Sequence, residues 1–166
     1  MDTNNDLKKE ITFKVVLYQP EIPVNTGNIG RLCLGANAEL HIIRPMRFFL
    51  NDKYLKRAGM DYWDKVKLYL HDDLDSFFRA NQDIKFYLCS TKGKKSYHET
   101  HFNISDALIF GPESRGLPDE LLNKYKDNII TIPMHNDIRS INLCNSVAII
   151  LYEGLRQINF MNISKD

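Results

Sequence analysis

The sequence lacks the features that mark secreted and membrane-spanning proteins. Its 166 residues contain only three cysteines, which lie in apolar segments without paired spacing and so fit reduced thiols better than a disulfide framework. No apolar run approaches the roughly 20 residues that a bilayer span requires. The polar stretch 1–10 also lacks the apolar core of a signal peptide. We therefore expect a cytoplasmic protein with no membrane partner.

The motifs of several common enzyme classes are also missing. Gly27 and Gly30 have the wrong spacing for the dinucleotide-binding Gly-x-Gly-x-x-Gly, and there is no Gly-Lys-Ser/Thr phosphate loop. His98 and His101 lack the i, i+4 spacing of the helical zinc motif and have no third ligand, so we expect no metal. No serine or cysteine is spaced from a histidine and a carboxylate as a hydrolytic triad would suggest.

The sequence also has no large excess of positive or negative charge, with 22 Lys and Arg residues against 21 Asp and Glu residues. With a net charge of +1, any nucleic-acid binding must depend on local patches and not on a global field. Two basic patches are present: Arg44, Arg47, Lys53, Lys56 and Arg57 in one, and Lys92, Lys94 and Lys95 in the other. A solvated surface face is the alternative explanation for each patch.

What the sequence does contain is an ordinary globular composition, with 43% hydrophobic and 26% charged residues. The length fits one domain, and no internal repeat or low-complexity linker divides it. We expect a domain over residues 11–160, with flexible tails at residues 1–10 and 161–166.

Short β-branched and aromatic runs alternate with helical patterns along the chain. The predicted strands are residues 13–18, 40–43, 66–70, 84–88, 107–110 and 128–132. The predicted helices are residues 26–37, 52–64, 72–80 and 119–125, and one that begins near residue 140. This order predicts an α/β fold: a single domain with a mostly parallel sheet and helices on both faces.

Polar loops rich in glycine and proline follow the strands. Four of them are residues 19–28, 90–95, 111–118 and 133–140. Since the carboxyl ends of parallel strands meet at one sheet edge, and ligands of such sheets bind beyond those ends, we predict a site there.

The loop at residues 111–118 carries two glycines, which would let the backbone approach a ligand, and two prolines, which would stiffen it. Glu113 and Arg115 would then face the sheet edge. A polar turn in which Glu113 and Arg115 pair with each other is the alternative.

The segment after residue 128 predicts a short strand ended by Pro133, a polar loop, and an apolar helix with Ser140 as a plausible N-cap. One stripe of this helix is a core face: Cys144, Val147, Ala148, Leu151, Leu155 and Ile158. A second, mixed stripe fits either a subunit interface or a site: Asn142, Asn145, Ile149, Tyr152 and Arg156.

Three blocks of sequence resemble the SPOUT superfamily of RNA methyltransferases, specifically its small tRNA ribose 2′-O-methyltransferases that act at the wobble position. The blocks are YQPEIPVNTGNIGRL at 18–32, FGPESRGLP at 110–118 and IPMHNDIRSINL at 132–143. Shorter similarities are HIIRPM at 41–46, LKRAGMDY at 55–62 and TKG at 91–93. Together they span nearly the whole chain in the family's order.

The resemblance implies a C-terminal trefoil knot, a homodimer, and S-adenosylmethionine bound within the knot. It assigns cofactor binding to Cys89, Gly111, Ile132, Met134, Ser140 and Leu143. It assigns catalysis and RNA positioning to Arg31, Asn25, Glu113 and Asn142, and contact with tRNA to Arg139 and Tyr152.

The implied reaction is methyl transfer to the ribose 2′-hydroxyl of nucleotide 34, a cytidine or modified uridine, in the anticodon stem-loop of tRNA. Arg31 would activate or position that hydroxyl, since a guanidinium rarely gives up its proton. Two alternatives stay open at this point: a 2′-O-methyltransferase for another RNA site, and a non-catalytic RNA-binding protein of the same fold. The sequence does not identify the tRNA isoacceptors or any base modification needed beforehand.

Overall fold

The computed structural model describes residues 11–51 and 60–164. The predicted tail at residues 1–10, most of the predicted helix at residues 52–64, and three cations of the first basic patch lie outside the described residues. Those cations are Lys53, Lys56 and Arg57.

The described residues form one sheet of seven strands, and each pair of neighbouring strands is parallel. In chain order the strands are β1 Lys14–Tyr18, β2 Glu39–Ile43, β3 Leu68–His71, β4 Phe86–Cys89, β5 Lys95–Ser96, β6 Ala107–Phe110 and β7 Ile129–Thr131. Their spatial order is β3-β2-β1-β6-β4-β7-β5. The predicted parallel α/β fold is confirmed.

Within residues 11–51 and 60–164, four α-helices pack on this sheet: α1 Pro23–Gly35, α2 Leu74–Ala80, α3 Asp119–Lys124 and α4 Leu143–Gln157. Pro23 suits the first turn of α1 because proline has no N–H to leave unpaired there. Asp73 caps α2, with its carboxylate accepting a hydrogen bond from the backbone N–H of Ser76.

Helices cover both faces of the sheet, as predicted. Alternate residues of each strand point to opposite sides, so each face has its own apolar core. The core under α1 and α4 includes Val15, Leu17, Ile29, Cys33, Leu40 and Leu151. The core under α2 and α3 includes Val16, Ile43, Phe77, Ile109 and Leu122.

Several sequence-based boundaries need correction. The N-cap of α4 is Asn142, whose side-chain oxygen accepts from the Asn145 N–H at 3.3 Å, and not Ser140. Strand β5 was not predicted, since two polar residues give no periodic signal. Near the end of the predicted helix at residues 52–64, the structure has a 3-10 turn, Trp63–Lys65.

The C-terminal part of the chain returns to the first helix. α4 packs against α1 and against β6, which lies two strands away from β7 in the sheet. Beyond α4, Asn37 Nδ2 donates to the carbonyl of Asn162 at 2.8 Å, so this segment contacts the turn after α1. The trefoil knot stays a prediction.

A buried polar network lies on the α2 side of the sheet. Glu39 Oε2 is 3.3 Å from Lys14 Nζ and 2.9 Å from His41 Nε2, while His41 Nδ1 is 2.9 Å from His71 Nε2. Burial would raise the pKa of Glu39, but His41 and Lys14 outweigh burial and lower it. Burial, together with nearby His41, lowers the pKa of His71. The network therefore favours an ionised Glu39 and a neutral His71.

We expect the free energy of unfolding to fall as pH drops from about 7.5 to about 5.5. The folded-state pKa of His71 lies below the ordinary value of about 6.5, so the unfolded chain takes up the proton first. The stabilisation is present above that ordinary value and is lost as pH falls through the lowered pKa. Glu39 adds a loss of the same sign below its ordinary value of 4.5.

Urea unfolding at a series of pH values measures this effect, with His71→Gln as the comparison. The variant should lose less stability than the wild type over the same range, because residue 71 no longer titrates. Parallel pH profiles for the two proteins would contradict the role of His71.

Candidate functional site

A cavity of about 610 Å³ opens where the carboxyl ends of β4, β6 and β7 face the start of α4. Its walls are residues 89–92, 110–117, 130–132 and 139–143, joined by Ile22, Asn25, Met134, Ser146 and Ile150. All four loops that the sequence placed at one sheet edge contribute to it. A cavity therefore lies at the predicted edge, and its role as the functional site stays a prediction.

Ten of the twelve predicted site residues line this one cavity. They are Asn25, Cys89, Gly111, Glu113, Ile132, Met134, Arg139, Ser140, Asn142 and Leu143. Residues separated by more than one hundred positions thus meet at the predicted edge, although their individual roles stay predictions.

Two carboxylates hold the first loop against the third, and we name this pair of contacts the carboxylate clasp. Glu113 accepts from the backbone N–H groups of Glu21 at 2.8 Å and Ile22 at 3.0 Å. In return, Glu21 accepts from the backbone N–H of Ser114 at 3.0 Å and from its hydroxyl at 2.8 Å. Each loop therefore supplies a carboxylate to the backbone of the other.

A chain of amides extends from the clasp across the cavity mouth. Asn25 Nδ2 donates to Glu113 Oε1 at 3.3 Å, and Asn142 Nδ2 donates to Asn25 Oδ1 at 3.2 Å. Because Asn142 also caps α4, this chain joins the starts of α1 and α4. Three of the four predicted catalytic residues form one hydrogen-bonded unit.

Glu113 and Arg115 do not pair with each other. Glu113 is occupied by the clasp, while Arg115 Nη2 donates to Gln19 Oε1 at 2.5 Å. The alternative of a simple ion-paired turn is therefore wrong, and the two side chains serve different neighbours.

The two glycines of this loop allow its backbone to close on itself, and the close approach to a ligand that the sequence suggested stays a prediction. A Cβ on Gly111 would lie 2.3 Å from the carbonyl carbon of Gly116 and 2.3 Å from the N of Leu117. Gly116 itself has φ of +69°, which favours glycine. The glycines close the loop on itself, which places its backbone at the cavity wall.

The cysteine in the wall is not poised for covalent chemistry. Burial raises the pKa of the Cys89 thiol and of the Cys144 thiol, so both stay protonated near neutral pH.

Among the described residues no group of three or more metal-binding side chains is placed to hold an ion. No helix of the described part of the chain is long and apolar enough to cross a membrane.

The remaining two predicted residues lie outside the cavity wall. Arg31 is exposed on α1, with its guanidinium 5.7 Å from the ring centre of Tyr62, whose hydroxyl donates to the carbonyl of Gly27 at 3.3 Å. Tyr152 is exposed on α4, 6.3 Å from the ring of Phe160. Within one chain, Arg31 and Tyr152 therefore do not join the ten predicted residues that line the cavity.

Sequence reasoning missed Glu21, Ser114 and Gln19. Nothing in the sequence distinguishes Glu21 from any glutamate in a proline-rich loop, because its partner is 93 positions away. Gln19 has φ of +48° just before Pro20, a backbone conformation that composition does not predict.

We expect Gly111→Ala to lower both the folding stability and the affinity for the cavity's ligand. The added methyl group would overlap the backbone of Gly116 and Leu117, so the loop must move away from the wall. Thermal unfolding and calorimetry with S-adenosylhomocysteine measure the two effects.

The matched control is Gly35→Ala, where an added Cβ meets nothing within 4 Å. That variant should keep the wild-type affinity and at least the wild-type stability, because alanine favours a helix over glycine. Equal behaviour of the two alanine variants would show that the closure of the loop does not depend on Gly111.

Comparison with known proteins identifies the family. Residues 12–152 match the SpoU rRNA Methylase family. A Listeria monocytogenes protein, provisionally named as a tRNA (cytidine(34)-2′-O)-methyltransferase, is 51% identical over 149 residues, covering 88% of this chain and 88% of that protein. A Saccharophagus degradans protein named tRNA (cytidine(34)-2′-O)-methyltransferase is 44% identical over 149 residues, covering 89% and 97%.

A solved structure gives the same result in three dimensions. It is described as giving structural insights into the 2-OH methylation of C/U34 on tRNA, and it matches this fold with a TM-score of 0.83 and 43% sequence identity. The match covers 90% of this chain and 97% of the other. On these similarities, the chain belongs to the SpoU rRNA methylase family.

Proposed function

We propose that this chain transfers a methyl group from S-adenosylmethionine to the ribose 2′-hydroxyl of the wobble nucleotide, position 34, of tRNA. The base of that nucleotide is cytidine or a modified uridine. The names of the relatives and the description of the matched structure support this substrate. Since tRNA is used in translation, we place the enzyme in the cytoplasm.

The observation that carries the proposal is the hydrogen-bonded unit of Asn25, Glu113 and Asn142 at the mouth of the cavity. Amide groups that are held on two helix starts can orient a ribose without rearranging when it binds. Such preorganisation is a main source of rate acceleration when two reactants must be aligned.

The cavity suits S-adenosylmethionine in size and in chemistry. Its volume of about 610 Å³ lies within the range of small-ligand pockets. Apolar side chains next to backbone-rich turns fit a ligand with an aromatic base and a polar amino-acid end. We assign its binding to Cys89, Gly111, Ile132, Met134, Ser140 and Leu143, all of which line the wall.

When bound, S-adenosylmethionine would supply an electrophilic methyl group on a sulfonium centre, and such a transfer needs no metal. The ribose oxygen gains that methyl group and loses its proton, which passes to solvent water or to a neighbouring RNA phosphate. Arg31 does not take this proton, because a guanidinium stays protonated and has no acceptor. We assign Arg31 to positioning the ribose oxygen and stabilising its developing negative charge by hydrogen bonding.

The exposed face of α1 and α4 supports a homodimer. Val24 is 56% exposed and Leu34 is 36% exposed on α1, and Tyr152 is 41% exposed on α4. Arg31 lies seven positions after Val24 and three before Leu34, hence on the same helical face. If this face packs against the same face of a second chain, Arg31 and Tyr152 lie at the interface, close to the partner subunit.

We assign Arg139 and Tyr152 to contact with the anticodon stem-loop. Arg139 is exposed and lines the cavity. A cation at this position can meet the phosphates next to the methylated nucleotide.

The proposal is tested with labelled S-adenosylmethionine and bulk tRNA from a strain lacking this gene, followed by nucleoside mapping. The expected product is a 2′-O-methyl group at nucleotide 34. Ribosomal RNA from the same strain serves as the competing substrate, and label on ribosomal RNA alone would assign the enzyme to another RNA site. Cofactor binding without transfer to either RNA would favour a non-catalytic role.

We expect Arg31→Ala to abolish methyl transfer while changing the affinity for S-adenosylhomocysteine less than about twofold, because Arg31 does not line the cavity. Single-turnover assays and calorimetry measure the two quantities. The control is Arg79→Ala, which removes an exposed arginine of α2 that pairs with Asp73. Full turnover in Arg31→Ala would remove this residue from the mechanism.

A further inference from the structure

Among the described residues, three with cationic side chains line the cavity, and they differ in the partner that each charge contacts. Lys92 Nζ is 2.5 Å from a carboxylate oxygen of Asp119, so its charge is partly compensated. Arg139 and Arg115 are both exposed. Arg115 differs from the other two because a neutral amide accepts a hydrogen bond from its guanidinium.

The amide belongs to Gln19, which accepts from Arg115 Nη2 at 2.5 Å. Gln19 is itself fixed: its N–H donates to the carbonyl of Ile43 at 2.9 Å, its φ is +48°, and Pro20 follows. A residue other than glycine seldom adopts this conformation, and residues that do are concentrated at functional sites. Gln19 therefore orients the guanidinium without neutralising it.

The nearby carboxylates are occupied by other donors. Glu113 accepts from two backbone N–H groups, and Glu21 accepts from Ser114. Within residues 11–51 and 60–164, no carboxylate oxygen lies within 4 Å of the Arg115 guanidinium. Hydrogen bonds from Ser114 lower the pKa of Glu21, and the nearby charge of Arg115 lowers it further. The arginine is thus oriented at the cavity wall with donors left for an anion.

We propose that Arg115, oriented by Gln19, binds the backbone phosphate next to the methylated nucleotide. The planar fork of a guanidinium matches two phosphate oxygens, and most contacts that position a nucleic acid are made to its phosphates. The inference rests on the proposed function and adds a substrate-binding residue to it. The carboxylate of S-adenosylmethionine is the other anion that could reach the same donors.

The experiment compares Arg115→Gln, Arg115→Lys and Gln19→Glu with the wild-type enzyme. Gln19→Glu keeps the shape of the side chain and adds a carboxylate that neutralises the guanidinium. Arg79→Gln is the matched control, since it removes one exposed positive charge from a residue that does not line the cavity. Thermal unfolding establishes that each variant is folded.

Four quantities are measured: KM for tRNA, kcat, the salt dependence of tRNA binding, and the Kd of S-adenosylhomocysteine. We expect Arg115→Gln to raise KM and the Kd for tRNA about tenfold, with a shallower salt dependence because one phosphate contact is lost. Gln19→Glu should change KM, the Kd for tRNA and the salt dependence as much as Arg115→Gln does. Arg115→Lys should give values between those of Arg115→Gln and the wild type. The Kd of S-adenosylhomocysteine should change less than about twofold in every variant.

Unchanged tRNA binding and salt dependence in Arg115→Gln would overturn the inference. Weaker binding of S-adenosylhomocysteine with unchanged tRNA binding would overturn it in favour of the cofactor carboxylate. Wild-type behaviour of Gln19→Glu would remove the positioning role of Gln19. If the wild type binds tRNA in an Arg115-dependent manner but does not methylate nucleotide 34, the proposed function fails while the phosphate contact stands.

Discussion

The carboxylate clasp is the interaction on which the geometry of the site depends. The N-cap of α1 is Ile22, which has no side-chain acceptor for the free N–H groups at the start of the helix. Glu113 supplies that acceptor from 91 positions away, and a negative charge there also suits the positive end of the helix dipole. The position of α1 is therefore set by the loop after β6.

The loop after β6 can reach α1 because it turns back on itself. Gly111 lies so close to Gly116 and Leu117 that any side chain would separate them. This closure presents Glu113 and Ser114 to the first loop, while Asn25 carries the contact on to Asn142. The starts of α1 and α4 and the carboxyl ends of β4, β6 and β7 thus enclose the cavity at this edge of the sheet.

The opposite face of the sheet has a separate polar network, in which Glu39 is buried between Lys14 and His41. Buried charges cost free energy unless each has a partner, and here one carboxylate oxygen contacts both Lys14 Nζ and His41 Nε2. The residues of this network lie in β1, β2 and β3, away from the clasp. The pH dependence of folding and the chemistry of the site are therefore carried by different groups of residues.

The sequence by itself determined the α/β class, the parallel sheet and the edge at which the cavity lies, because strand alternation and loop composition are local properties. The family resemblance of its motifs also singled out ten residues that line the cavity. Only the tertiary structure decided which of them touch. Three contacts depend on where the folded backbone places each residue, and residue type alone does not predict them. They are the clasp, the hydrogen bond between Gln19 and Arg115, and the Asn142 cap of α4. Arg31 and Tyr152 lie outside that wall because a helix face points where packing directs it, and sequence spacing alone does not give that direction.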